Sequence, residues 1–313
     1  MLHLRVICPQ AITDDVVGLL SEHPGAAHLI RVHGAAVVPA GDLVEADIAR
    51  EAADEVISAL CELGVDHSGG ITLEQIDTVL SDAAVRAEAD APGDAADAVV
   101  WEELLARTGE ESRLNVTFFA FLAIACLLAA VGVITDSPVT IVGAMVVGPE
   151  FGPLAAIAVG LVRRRWDLVR RAAGVLVVGF PVAMLITALG TAAGNAAGLF
   201  DANALLGDHQ VDFVYDVGPW SLIVALLAGA AGMLSMTSAK SAALVGVFIS
   251  VTTVPAAGYA SVAAILGDWG RFVGSVGQLA VNLVGLVLAA TLVLILRRET
   301  WTTRDVGRPL STG

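Results

Sequence analysis

The chain has 313 residues, 56% of them hydrophobic, and a mean hydropathy of +0.78, well beyond the apolar share of a soluble domain. Its charge is uneven: residues 1–113 hold 22 acidic and 6 basic side chains, residues 114–313 hold 10 and 11. An acidic soluble head therefore precedes a membrane body, and the lack of a basic surface on that head excludes nucleic acid as a partner.

The head is expected over residues 1–81. Leu2–Cys8 alternates apolar positions as a strand does, and Ile12–Glu22 has helical spacing, with Thr13 as its cap and Pro24-Gly25 as its stop. Ala27–Val38 and Asp42–Ile48 read as paired strands joined by Pro39-Ala40-Gly41, Arg50–Leu63 reads as a helix, and Ile71–Val79 fits either a strand or a short helix. This order predicts a ferredoxin-like α+β sandwich. Five of the six histidines lie here (His3, His23, His28, His33 and His67); without helical i,i+4 pairs they read as scattered surface imidazoles. Cys8, Cys61 and Cys126 match no metal or disulfide spacing and suit a reducing compartment. The opening residues lack the charged start and long apolar core of a signal peptide.

Residues 82–113 read as a helical connector in two pieces, interrupted at Pro92-Gly93. From there to residue 298 the chain reads as six transmembrane helices, at 116–135, 139–161, 172–193, 218–237, 242–266 and 276–296, followed by a tail over 299–313. Arg163, Arg164, Arg165, Arg170, Arg171, Arg297 and Arg298 fall on one side of this scheme with Arg107, Arg113 and Lys240, while Asp136, Asp201, Asp208, Asp212, Asp216 and Asp268 fall on the other, with Arg271 as the only basic residue there. The positive-inside rule then places both termini in the cytoplasm, in a multi-pass protein of the inner cell membrane. Trp166, Trp220, Trp269 and Trp301 sit at predicted membrane edges.

The second span contains Gly148-Pro149-Glu150-Phe151-Gly152-Pro153. Two prolines and two glycines remove backbone donors and disfavour a continuous helix. Ionisable groups at that depth are expensive and tend to be functional. Irregular backbone there survives only where protein or a watery cavity covers it. The fifth span carries a second break, Ser250-Val251-Thr252-Thr253-Val254-Pro255.

The two breaks belong to a repeat at an offset of 103: Val142-Gly143 aligns with Val245-Gly246, Trp166 with Trp269, Gly174 with Gly277 and Leu176 with Leu279, while Pro153 and Pro255 recur one residue out of register. Three spans per copy is an odd number, so the second copy enters the membrane inverted, the arrangement by which secondary transporters place substrate between paired breaks.

The segments Gly143-Ala144-Met145…Gly152-Pro153 and Leu244-Val245-Gly246…Val254-Pro255-Ala256 resemble the two signatures of domain-of-unknown-function family 389, hydrophobic integral membrane proteins of bacteria and archaea. The acidic head and Gly69-Gly70-Ile71-Thr72 are similar to that family too. The resemblance implies an integral membrane protein and supplies no catalytic residues. The family's second signature often carries two adjacent prolines where this chain has Val254-Pro255, and its first an apolar residue where Glu150 stands.

The candidate ion or solute ligands are therefore Glu150, the break residues Gly148, Pro149, Gly152 and Pro153, and Thr252, Thr253 and Pro255 facing them. Asn282 in the sixth span is a ligand or helix–helix glue. Lys240, the only lysine in the chain, is a positive-inside flank or a partner of the site; the repeat sets it opposite Ser137, beside Asp136. No nucleophile–base arrangement, Walker loop or dinucleotide fingerprint occurs, so no enzyme activity is expected, and neither a cofactor nor a metal is specified. The reading is a transporter or channel for a small ion or polar solute, in a homo-oligomer within the lipid bilayer, regulated by the head. The alternative is a membrane-anchored sensor or scaffold whose head binds an effector or protein without transport.

Overall fold

The computed structural model describes residues 1–91, 98–200, 210–215, 217–237 and 253–304. Two compact units divide the chain, one of residues 1–104 with 237–239, the other of residues 105–236 and 240–313.

The first unit is a four-stranded antiparallel sheet in the order β2-β3-β1-β4. Its strands are β1 (Leu2–Cys8), β2 (Ala26–Val37), β3 (Ala40–Ile48) and β4 (Gly70–Gln75), with α1 (Thr13–Glu22) after β1 and α2 (Ala53–Glu62) and the single turn α3 (Val65–Ser68) after β3. This is the β-α-β-β-α-β order expected of the head. Alternation builds it: Leu2, Leu4, Val6 and Cys8 of β1 and Val44, Ala46 and Ile48 of β3 point inward, against Val16 and Leu20 of α1 and Val56 and Leu60 of α2. The stretch after Gly69 is a strand, β4, paired with β1 over Leu2–Ile7; that pairing, and no periodicity of its own, decides its conformation. Thr13 is not a cap. It is the first residue of α1, Ile12 stands at the cap position, and the Thr13 hydroxyl donates to the Pro9 carbonyl at 3.2 Å. Residues 50–52 form a 3₁₀ turn before α2.

The helix α4 (Asp82–Asp90) is capped by the Ser81 hydroxyl and packs on β2 and β3. The helix α5 (Trp101–Glu111) follows; the Pro92-Gly93 interruption lies outside the described residues.

The second unit is helical: α6 (Val116–Ile134), α7 (Pro138–Val147), α8 (Phe151–Val162), α9 (Trp166–Ala196), α10 (Pro219–Thr237), α11 (Val254–Leu266) and α12 (Trp269–Arg304). Asn115 starts α6 by accepting the Phe118 amide at 2.6 Å, and Ser137 starts α7 by accepting from Thr140. Among the described residues four helices are long and apolar enough to cross a membrane, α6, α9, α10 and α12, or five if α7 and α8 form one bent span. The predicted span 242–266 is described only in its second part, as α11.

Helix boundaries recur at one interval. The helices α6 and α10 start at 116 and 219; α8 and α11 start at 151 and 254; α9 and α12 start at 166 and 269. Trp166 and Trp269 thus open the two longest helices, both exposed. Packing follows the same rule. The helix α8 lies against α9 and α12, and α11 lies against α12 and α9, so each short helix touches the long helix that follows it and that helix's counterpart.

Candidate functional site

The break expected at residues 148–153 is present: α7 and α8 are bent by 54°. Gly148 ends α7 in an extended conformation, φ −65° and ψ 129°, and Glu150 stands at the cap position of α8. Pro153 falls in the first turn of α8, where its missing N–H costs nothing. Thr253 occupies the same place before α11, with Pro255 in that helix's first turn. The one-residue slip between the two prolines is absorbed inside the first turn, and the helix starts keep their interval.

At these two cap positions the chain meets itself. Glu150 and Thr253 are both fully buried, and the Thr253 hydroxyl donates to Glu150 Oε1 at 2.5 Å. Both residues immediately precede a helix, so the positive ends of α8 and α11 lie at the pair. A carboxyl group with a hydroxyl donor between two helix starts can take up and release a proton, or hold a small cation when ionised.

Gly148, Pro149, Gly152 and Pro153 surround this pair in sequence, and Glu150 and Thr253 are the two predicted ligands that the structure brings into contact. Close packing reaches the break from α5: a Cβ on Gly152 would lie 2.6 Å from the Glu111 Cβ. Asp136 is elsewhere. It sits in the α6–α7 turn with φ +47°, and its Oδ1 accepts the Val211 amide at 3.2 Å. Asn282 is buried in α12, where its Oδ1 accepts from Gln278 Nε2 at 3.3 Å. Thr252 and Lys240 lie outside the described residues, as do Asp201, Asp208, Asp216 and the Val245-Gly246 motif.

A polar cluster that sequence reading missed lies beyond α11. Tyr259, fully buried, donates its hydroxyl to Asp212 Oδ1 at 3.1 Å. Arg271 Nη2 is 3.9 Å from Asp212 Oδ2, its Nε is 3.6 Å from Asp268 Oδ2, and its guanidinium lies 5.3 Å from the centre of the Tyr215 ring. The counterparts of Tyr259, Arg271 and Ser275 one interval earlier are Ala156, Leu168 and Ala172, which form a small apolar cluster covered by Leu105.

The histidines of the head are less scattered than their sequence spacing implies. His3 Nδ1 and His28 Nδ1 lie 2.9 and 2.7 Å from the two oxygens of Asp47, and His28 Nε2 is 2.8 Å from the Ser81 hydroxyl. The register of β1 with β3 sets His3 opposite Asp47. Burial raises the Asp47 carboxyl, but the hydrogen bonds and charges of His3 and His28 outweigh it, and the group is held below the usual carboxylate range. Asp42 is lowered as well, first by the Gly34 amide and then by Thr13 and His33. Among the described residues no group of three or more His, Cys, Asp or Glu side chains is arranged to hold a metal ion.

Helices of this length and apolarity around a buried carboxyl define a candidate membrane protein. Residues 145–288 match the family described as Domain of unknown function (DUF389), so the resemblance carried by the break motifs holds over that segment, which contains Gly148–Pro153 and Ser250–Pro255. An uncharacterized protein of Methanocaldococcus jannaschii is 24% identical over 157 residues, 50% of this chain and 47% of that protein. The chain thus spans about half the length of the curated relative it matches. No solved structure matches it.

Proposed function

We propose that the chain is a transporter or channel for a small ion or polar solute, with its site at Glu150 and Thr253 and with the acidic sheet domain as its regulator. The contact between these two residues carries the reading. They are 103 positions apart, the same interval that separates the helix starts, so a position touches its own counterpart. In a body built of two copies related by a twofold axis, such a contact lies on the axis. Three spans in each copy invert the second relative to the first, and the paired breaks then meet near the bilayer midplane. A carboxyl group retained there, where its charge is costly, fits a site that handles ions.

The arginines of residues 163–171, together with Arg297 and Arg298, support cytoplasmic termini in the inner membrane. The exposed apolar faces of α6, α9, α10 and α12 suit lipid and, in a homo-oligomer, a second copy. Purified protein in liposomes tests the reading. Wild type should move a small ion or solute, and Glu150→Gln, which keeps the shape and removes the charge, should abolish its ion dependence without lowering expression. If wild-type protein neither accumulates nor conducts, the membrane-anchored sensor or scaffold replaces this reading.

A further inference from the structure

We propose that α12 carries a one-sided polar path, formed by Ser275, Gln278 and Asn282, along which water and the protons it carries reach the Glu150–Thr253 pair from the side of the α11–α12 turn. The inference rests on the transport reading and narrows its ion to the proton. Arg271, Ser275, Gln278 and Asn282 are spaced by four, three and four residues, one face of a helix. Ser275 and Asn282 are fully buried and Gln278 is 4% exposed. Ser275 Oγ and Gln278 Oε1 have no hydrogen-bond partner among the described residues. A buried polar atom left so bears its full desolvation cost, and two on one face of one helix supply the polar partners that a file of water requires.

The path has a direction. The helices α11 and α12 form a hairpin around Gly267-Asp268. Thr253 lies fourteen residues before Gly267 and Asn282 fourteen after Asp268, so both stand roughly 21 Å from the turn at 1.5 Å per residue. Gln278 and Ser275 descend from that level toward the turn, where the partly exposed side chains of Arg271, Asp212 and Asp268 stand together. The helix α12 also packs on α8, whose first cap is Glu150.

One interval earlier the same face of α9 reads Leu168, Ala172, Val175 and Gly179, with Ala172 and Val175 fully buried and Gly179 close against the Phe118 ring. Hydrocarbon closes that half. A proton arriving along α12 leaves a hydronium ion, forms the O–H bond of the Glu150 carboxyl and leaves water behind.

Single cysteines test the path independently of transport. In full-length protein with Cys8, Cys61 and Cys126 changed to Ala, Ser275→Cys and Gln278→Cys should react with methanethiosulfonate ethylammonium at least tenfold faster than Ala172→Cys and Val175→Cys. Equally slow labelling would overturn the path even if the protein transports. In liposomes under a pH gradient, Gln278→Leu should slow proton entry at least fivefold. An unchanged rate beside an active wild type would also overturn it. Fast labelling with an inactive wild type would uphold the path and remove the transport reading.

Discussion

The two halves of the helical unit share a frame and differ in chemistry. Ala156, Leu168 and Ala172 stand where Tyr259, Arg271 and Ser275 stand one interval later. The first trio is covered by Leu105 of α5, whereas Tyr259 and Arg271 of the second are joined to Asp212 and Tyr215 by a hydrogen bond, an ion pair and a ring contact. Backbone geometry tolerates this divergence because helix starts are set by Pro, Gly and capping residues, while the faces between them are free to vary. Two sets of helices with matching starts can therefore carry one dry end and one polar end, and the residues where the two sets meet are the most constrained.

That junction gives the largest expected effect. Thr253→Glu sets a second carboxylate against Glu150, a cost of about 3–5 kcal/mol for an uncompensated buried charge, and folded protein recovered in detergent should collapse. If the pair lies on a twofold axis, exchanging the residues, Glu150→Thr with Thr253→Glu, should restore most of the yield. A double variant as damaged as Thr253→Glu would break the symmetry of the comparison.

Smaller is the effect of placing the first half's residue in the second. Cys126 of α6 corresponds to Gly229 of α10, but a Cβ on Gly229 would lie 2.5 Å from the Leu286 carbonyl oxygen. Gly229→Cys should destabilise by about 1–3 kcal/mol through overpacking, read as a lower melting temperature in detergent. An unchanged melting temperature would mean that α10 and α12 are less tightly apposed than α6 and its neighbours.

Smallest is Tyr259→Phe, which keeps the ring and removes the hydroxyl from Asp212. A loss of about 1 kcal/mol is expected, read as a lower melting temperature in detergent. An unchanged melting temperature would show that the polar end contributes no bonding of its own.

Much of this was legible in the sequence. The alternation of β1 and β3 gave the sheet, and Gly148, Pro149 and Pro153 gave the break because those residues act on the backbone directly. Glu150 and Thr253 were readable as partners because the tryptophan and glycine pairs share their interval. The polar end was not. In the sequence Arg271 is a lone basic residue among acids and Asp212 one of several loop acids, and nothing near Tyr259 singles it out; only tertiary packing joins three segments that local spacing does not relate. The same holds for His3 and His28, which meet on Asp47 through strand register, and for β4, whose conformation comes from β1.

The composition of α11 has a mechanical consequence. From Val254 to Ala263 every residue is buried, and apart from Tyr259 that stretch is mostly Ala, Gly, Ser and Val. Neighbouring helices ordinarily hold one another in place by knobs seated in grooves; a rod flanked by methyl groups and hydrogens offers shallow teeth. Gly258 lets it run close to α6, within 2.9 Å of the Cys126 carbonyl for a Cβ placed there. The one large side chain of this rod is Tyr259, bonded to Asp212, so the contact that marks the axial position of α11 is a polar one and not a knob in a groove.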